Sequence, residues 1–233
     1  MCTIAAKKLH QGIFVFKNRD PIRGTPLVEE VSRINVNNVE MIIIQNSAGQ
    51  FGGINYDGTA IVGTFVNIHE HQKNYFNENY LSYMLSLGEI NNIVNYLKLN
   101  PDKLYGNLIV ANSETIYAFE LSKEEIWYKE IDIEYTATNH FINLSQTLRT
   151  IDNSYIVNWT TKRKHTAEQL ISNVQSLNDI KNFLRNHAEH PYYSICNHGD
   201  IPTASSYIFD CAKKLVYYCS GAPCLNEYKK IGF

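Results

Sequence analysis

The chain has 233 residues, 44% of them hydrophobic and 19% charged, with a formal net charge of −2. That composition suits a globular protein with a buried core, and the charge balance gives no electrostatic case for nucleic acid or an anionic membrane as partner. No run approaches the ~18 apolar residues of a membrane span, and no charged n-region with an apolar h-region opens the chain, so neither a spanning helix nor a signal peptide is expected.

The first residues carry the most pointed chemistry. Cys2 directly follows Met1, so removal of Met1 leaves one residue holding both a thiol and a free α-amine. An α-amine titrates near ~7.7–8.0 and a thiol near ~8.5, so a nucleophile and its general base come on a single residue. Thr3–Leu9 reads as a strand, His10-Gln11-Gly12 as a tight turn and Gly12–Phe16 as a second strand. Such a hairpin returns Lys17, Asn18, Arg19 and Asp20 beside residue 2. A carboxylate there can hold the α-ammonium, and a cation can lower the thiol pKa. The same four residues also read as nothing more than a charged turn after a strand.

Residues 21–39, with Pro21, Gly24 and Pro26, read as loop, and Val39–Gln45 as a buried strand around Met41-Ile42-Ile43-Ile44. A short strand is expected near Phe51–Asn55, a turn at Asp57-Gly58, and a strand over Thr59–Val66 that delivers Asn67 to its end. His69-Glu70-His71 reads as a solvated loop, because its spacing is not helical and no third metal ligand is evident. From Tyr80 to Leu99 apolar residues recur at helical spacing, Gly88 breaks the pattern into two helices, and Asn100-Pro101 ends it. Asn107–Ala111 and Thr115–Leu121 make a hairpin about Asn112-Ser113-Glu114. Ile126–Tyr135 alternates as one strand, followed by a polar interruption at Thr136–Phe141. Thr166–Val174 and Leu177–His187 read as helices, and Ser194–Cys196, Ser205–Asp210 and Lys214–Cys219 as closing strands, the last terminated by Gly221-Ala222-Pro223-Cys224.

Strands grouped in runs, rather than alternating singly with helices, argue for an α+β fold in one domain spanning 1–233. The five cysteines, Cys2, Cys196, Cys211, Cys219 and Cys224, are odd in number and match no zinc spacing. Reduced thiols in a cytoplasmic protein are the simplest reading. The last four read as structural thiols and His140 and His198 as core or surface histidines, with no metal or organic cofactor expected.

Met1-Cys2-Thr3 followed by Phe16-Lys17-Asn18-Arg19-Asp20 resembles the N-terminal nucleophile (Ntn) hydrolases of the choloylglycine hydrolase and penicillin V acylase group. More closely it resembles the acyl-coenzyme A:6-aminopenicillanic acid acyltransferase-like cysteine peptidase family. Further motifs fall in the same order: Gly53-Ile54-Asn55-Tyr56-Asp57-Gly58, the Asn107–Glu120 hairpin, Thr138-Asn139-His140-Phe141, Ser194-Ile195-Cys196-Asn197-His198 and Gly221-Ala222-Pro223-Cys224. The resemblance implies a four-layer αββα sandwich with the nucleophile on its first strand. It implies cleavage or transfer at a linear, non-peptide or modified-peptide amide through an acyl-thioester enzyme, on a small-molecule acyl amide or thioester.

By the same resemblance Cys2 is the nucleophile, Asp20 contacts its amine, and Asn139 supplies an oxyanion or amine-orienting contact. Asn67 is a weaker candidate for the other oxyanion donor. Lys17 stands where the bile-salt hydrolases carry Arg, and Arg19 can point the other way along a strand. The late active-site Arg of those enzymes has its neighbourhood in Ser154–His165, where Arg163 is the only Arg. Which of Lys17, Arg19 and Arg163 faces the site stays open at this point. Some family members free the cysteine by cutting an internal pro-segment, whereas removal of Met1 suffices here, and related proteins assemble as homo-oligomers. The loops near 21–35 and 65–80 are candidate walls for an acyl chain. A second reading is a catalytically lapsed member that binds an acyl compound or a partner protein.

Overall fold

The computed structural model describes residues 2–21, 28–66, 79–101, 105–123, 125–144, 154–187 and 193–233, with the backbone alone for 154–157. Two antiparallel sheets dominate it. The first has six strands: β1 (Cys2–Leu9), β2 (Gly12–Arg19), β10 (Glu134–Ala137), β11 (Ser205–Asp210), β12 (Leu215–Ser220) and β13 (Lys229–Gly232), in the order β10-β1-β2-β11-β12-β13. The second has seven in simple succession: β3 (Glu30–Val36), β4 (Val39–Asn46), β5 (Gly49–Asn55), β6 (Ala60–Thr64), β7 (Gly106–Ala111), β8 (Ile116–Leu121) and β9 (Ile126–Ile131).

The period-2 alternation of the strands sorts their side chains onto two faces. Ile4 and Ala6 of β1, Ile13 and Val15 of β2, and Tyr207 and Phe209 of β11 share one core cluster with Ile42, Ile44, Ile54, Val62 and Ile109 of the other sheet. The alternate residues Ala5, Phe14, Phe16 and Ile208 pack instead against α3 (Ser154–Ile171) and α4 (Leu177–Leu184), through Ala167, Ile171, Ile180 and Phe183. On the seven-stranded sheet, Met41, Ile43, Ile61 and Val110 meet α1 (Tyr80–Leu85) and α2 (Ile90–Leu99). The inward stripe of α2 is Ile90, Ile93, Val94 and Leu97, the i, i+3, i+4, i+7 spacing of an amphipathic helix. Gly88, at φ +76°, makes the corner between α1 and α2. No helix among the described residues is long and apolar enough to cross a membrane.

Several elements differ from the sequence reading, each for a physical reason. Residues 30–36, expected as loop, form the edge strand β3, whose burial is only partial, so its hydrophobic signal is weak. Ile126–Tyr135 is two strands in different sheets: β9 pairs with β8, the chain bends at Asp132-Ile133, and β10 pairs with β1. Alternation alone cannot mark that change of partner. Helix α3 begins at Ser154 rather than Thr166, because two of its inward positions are the polar Thr160 and Arg163, which hide the periodicity of Ala167 and Ile171. Helix α4 ends at Leu184, short of His187; Ser194–Cys196 is irregular chain; and the short edge strand β13 is an addition. His69-Glu70-His71 lies outside the described residues.

The Gly53–Gly58 motif proves architectural. Asn55, fully buried, donates through Nδ2 to the carbonyls of Leu85 (3.1 Å) and Gly88 (3.0 Å), and its Oδ1 accepts the Thr59 N–H (2.9 Å). It thus ties the β5–β6 turn to the α1–α2 corner. Gly58 closes that turn at φ +86°, and a Cβ there would collide with the Cys211 carbonyl oxygen of the opposite sheet. Gly58→Ala should therefore destabilise the fold by about 2–3 kcal/mol in urea unfolding, through both backbone strain and that collision.

Candidate active site

The β1–β2 register sets the site. Cys2 pairs with Arg19, Thr3 with Asn18 and Ile4 with Lys17. Directly paired residues share a face, so Cys2 lies on the inter-sheet face with Ile4, Lys17 and Arg19, while Asn18 lies on the face toward α3 and α4. Asn18 accordingly donates to the carbonyls of Leu184 (2.8 Å) and Ile195 (2.9 Å) and is a structural brace. Arg19, two residues after Lys17, shares its face; the expectation that it can point the other way fails on the strand period of two.

Lys17 and Arg19 converge on Phe51 of the facing sheet. Lys17 Nζ donates to the Phe51 carbonyl oxygen at 3.0 Å, beside the Tyr207 hydroxyl, which donates to the same oxygen at 2.8 Å. The Arg19 guanidinium lies over the Phe51 ring, 3.9 Å from its centroid, and pairs with buried Glu29 at 2.6 Å. Burial pushes the Lys17 ammonium below its ordinary value and Arg19 adds to that, while the Cys2 thiolate, Glu29 and Asp20 oppose it. Arg19 has its charge matched by Glu29, whereas Lys17 meets a carbonyl dipole. Lys17 is among the described cations whose electrostatic surroundings include the Cys2 sulfur.

On the other side of Cys2, strand β10 ends at Ala137, opposite Ile4, and the next residues run alongside the start of β1. Asn139 there accepts the Cys2 main-chain N–H on Oδ1 at 2.6 Å and donates from Nδ2 to the Phe65 carbonyl at 2.6 Å. A carbonyl on one side and an N–H on the other leave the amide one orientation. Its acceptor faces the Cys2 nitrogen, and its donor is engaged by Phe65.

Asp20 follows β2, and its main-chain oxygen lies 4.0 Å from Cys2 Sγ. Its carboxylate is fully enclosed: Oδ2 pairs with Arg163 at 3.0 Å, both side chains being 0% exposed, and Oδ1 accepts from Thr203 Oγ1 at 2.8 Å. Burial pushes this carboxyl above the usual range, and the pairings with Arg163 and Thr203 pull against it. Arg163 thus reaches the site, but as the partner of Asp20. It stands one helical turn after Thr160, whose Oγ1 accepts the Asn139 N–H at 2.8 Å. One face of α3 therefore holds the residues that flank Cys2 on both sides.

Thr160 and Thr203 were not among the residues singled out from the sequence, and Asn107 and Glu120 entered only as the bounds of a hairpin motif, with no role of their own. Asn107 Nδ2 braces the segment after β10 through the carbonyls of Thr138 (2.6 Å) and His140 (3.1 Å). Glu120, fully buried, accepts the N–H groups of Ile142, Asn143 and Leu144 at 2.8–3.1 Å. Isolated polar residues of these types carry no sequence pattern; only a carboxylate inside an otherwise apolar strand, as Glu120 is, offered a signal. Asn67, and most of the proposed acyl-chain walls at 21–35 and 65–80, lie outside the described residues.

A family model, acyl-coenzyme A:6-aminopenicillanic acid acyl-transferase, matches residues 14–224 of the chain, a span that includes Lys17, Asp20, Asn139 and Arg163 and begins after Cys2. Among solved structures, the fold is similar to penicillin V acylase from Agrobacterium tumefaciens, with a TM-score of 0.58 at 12% identity, over 94% of this chain and 83% of that one. It is also similar to a Cys-to-Ala mutant of conjugated bile acid hydrolase from Clostridium perfringens, with a TM-score of 0.60 at 11% identity, over 100% of this chain and 97% of that one. No curated protein sequence matches the chain.

Two outcomes follow from this geometry. Arg163→Met leaves the Asp20 carboxylate buried without its cation and should cost about 3–5 kcal/mol in chemical denaturation, part of it recovered in the double variant with Asp20→Asn. His140 packs its Nδ1 against the hydroxyls of Thr138 (3.1 Å) and Thr160 (2.9 Å), and burial, with Lys164 and Arg163 adding to it and Glu168 opposing, lowers its pKa to about 4. Unfolding restores the ordinary ~6.5. The unfolded chain then binds the extra proton between those values, so stability falls as pH drops from ~6.5 toward ~4, by up to about 3 kcal/mol. Equilibrium unfolding of His140→Gln across that window should show a flatter pH dependence than the parent.

Proposed function

We propose that this chain, which belongs to the acyl-coenzyme A:6-aminopenicillanic acid acyl-transferase family, is a cysteine N-terminal nucleophile amidohydrolase or acyltransferase acting on a linear acyl amide or thioester. The observation that carries the reading is the placement of Cys2: its nitrogen is held by Asn139 at 2.6 Å and its side chain shares a face with Lys17. A carboxamide oxygen on that nitrogen can orient an α-amine as general base once Met1 is removed. The two cations on this face divide their roles by partner: Lys17, facing a carbonyl, favours the thiolate, while Arg19 is neutralised by Glu29 and shapes the wall with Phe51.

The reaction follows from these placements. The α-amine takes the thiol proton and the sulfur adds to the substrate carbonyl carbon. The tetrahedral intermediate collapses by breaking the C–N bond, and the α-ammonium returns its proton to the departing amine. A thioester remains on Cys2. Water, deprotonated by the same amine, releases a carboxylic acid; an acceptor amine in its place gives a new amide. Asp20, whose main-chain oxygen lies 4.0 Å from Cys2 Sγ, is assigned the stabilisation of the ammonium stage from its place in the Lys-Asn-Arg-Asp motif, and Asn139 holds the amine. Asn67 is retained as an oxyanion donor. The packing of helices on the outer face of each sheet, with a shared apolar layer between sheets, supports the four-layer αββα arrangement over a single domain of 1–233. No organic cofactor enters the chemistry. A cytoplasmic location and a homo-oligomeric state complete the reading.

The test begins with intact mass of untagged protein before and after a limiting thiol alkylator. Met1 should be absent and Cys2 labelled ahead of the other four cysteines. Cys2→Ala should then lower turnover of acyl amides and thioesters by about 10³-fold or more, and the parent should accumulate a mass-detectable acyl adduct on Cys2. Retained Met1, or a Cys2 no more reactive than Cys196 or Cys219, would remove the amine base and with it this mechanism.

A further inference from the structure

Four side chains apart from the Cys2 nucleophile converge on one point. His187 follows α4, Cys196 and His198 lie in the irregular chain before β11, and Cys224 lies in the turn after β12. Their ligand atoms all lie within 4.8 Å of one another. His198 Nε2 is 3.0 Å from His187 Nε2, 3.1 Å from Cys224 Sγ and 3.6 Å from Cys196 Sγ, and the two sulfurs are 3.5 Å apart. A ring nitrogen carries either one proton or one lone pair, so His198 Nε2 can make one good hydrogen bond, not three. A cation at the centre resolves this crowding, because all four atoms then direct lone pairs at a single ion.

We propose that His187, Cys196, His198 and Cys224 form a zinc site. Two thiolates and two imidazoles are a borderline-soft, four-donor set suited to tetrahedral Zn²⁺, and four protein ligands make a closed, structural site. With metal–ligand lengths of ~2.0–2.3 Å, ligand atoms around tetrahedral zinc sit ~3.3–3.8 Å apart. Four of the six separations run from 3.0 to 3.6 Å, close to that spacing, and the other two lie within 4.8 Å, so a small inward shift of His187 completes the tetrahedron. Binding exchanges two thiol protons for the ion, so the four ligands with their metal are electrically neutral, which suits a partly buried position.

The ligand-bearing segments are already held together by other contacts. The Cys196 N–H donates to the Asn186 carbonyl at 2.9 Å, which joins the neighbours of His187 to the Cys196–His198 segment. Arg185 Nε donates to the Pro223 carbonyl at 2.9 Å, which brings the Cys224 turn to the end of α4. The zinc then clips together the end of α4, the Cys196–His198 segment and the Cys224 turn after β12. One of them leads to the Cys2 site: the N–H of Asn197, between two ligands, donates to Thr203 Oγ1 at 2.9 Å, and that hydroxyl donates to Asp20. No ligand is part of the Cys2 chemistry, so the site stands or falls separately from the proposed reaction.

The test is metal analysis of protein purified under reducing conditions without chelator, followed by titration of the metal-free protein with Zn²⁺ and with Co²⁺. The expected result is about one zinc per chain, retained in Cys2→Ala and lost in both Cys224→Ser and His187→Ala. The Co²⁺ form should show the strong visible absorption and thiolate charge-transfer bands of a tetrahedral site, absent from both variants. His187 and Cys224 sit near the surface, so these variants fold even where Cys196→Ser does not. Three results would each overturn the proposal: no stoichiometric uptake by the reduced protein, equal uptake by parent and both variants, or a Cys196–Cys224 disulfide in metal-free protein isolated from cells.

Discussion

The buried ion pair between Asp20 and Arg163 is the constraint on which the site depends. Both side chains are withdrawn from water, so neither charge tolerates the loss of the other. The pair joins the end of β2 to the inner face of α3, and Thr203, just before the neighbouring strand β11, occupies the remaining carboxylate oxygen. Because Thr160, on the same helix face, receives the Asn139 N–H, the helix that carries Arg163 also sets the distance between Asn139 and Cys2. One helix face thus positions an acid, an amide and, through the β1–β2 register, a thiol.

Around that pair the polar interior is built by amides and a carboxylate that hold backbone, not substrate. Asn18, Asn55 and Asn107 are fully or almost fully buried, and each spans from its own strand to carbonyls of another segment. Glu120 plays the same part for the N–H groups of residues 142–144. Irregular chain beside an active site leaves main-chain groups without ladder partners, and these side chains supply them. Much of what a motif reader would take for catalytic asparagine is therefore architecture.

The charges facing the inter-sheet space are arranged unequally. Arg19 is stacked on Phe51 and matched by Glu29, while Lys17 rests on the Phe51 carbonyl oxygen. Among the described residues Lys17 makes its close contact with a carbonyl, whereas the stacked and paired guanidinium of Arg19 is committed to packing. The position at which the sequence resemblance expects an Arg thus holds a Lys that rests on a main-chain carbonyl.

What could be read directly from the order of residues was local. The placement of Cys2 after Met1, the opening hairpin, the β4 run, the Gly88 break and the β7–β8 hairpin all follow from patterns within a few residues, because turn chemistry and side-chain period act at that range. The hairpin also placed Asp20 and Lys17 near Cys2. Tertiary structure alone decided the rest. Only the sheet pairing splits 126–135 between two sheets, and only the packing of α3 on β10 and β1 brings Arg163 to Asp20 at the end of β2. The convergence of His187, Cys196, His198 and Cys224 likewise arises from three chain segments with no regular spacing, so no ligand motif could announce it. Contacts between residues more than a hundred positions apart are set by which faces the sheets and helices bury together, and a linear pattern does not contain that choice.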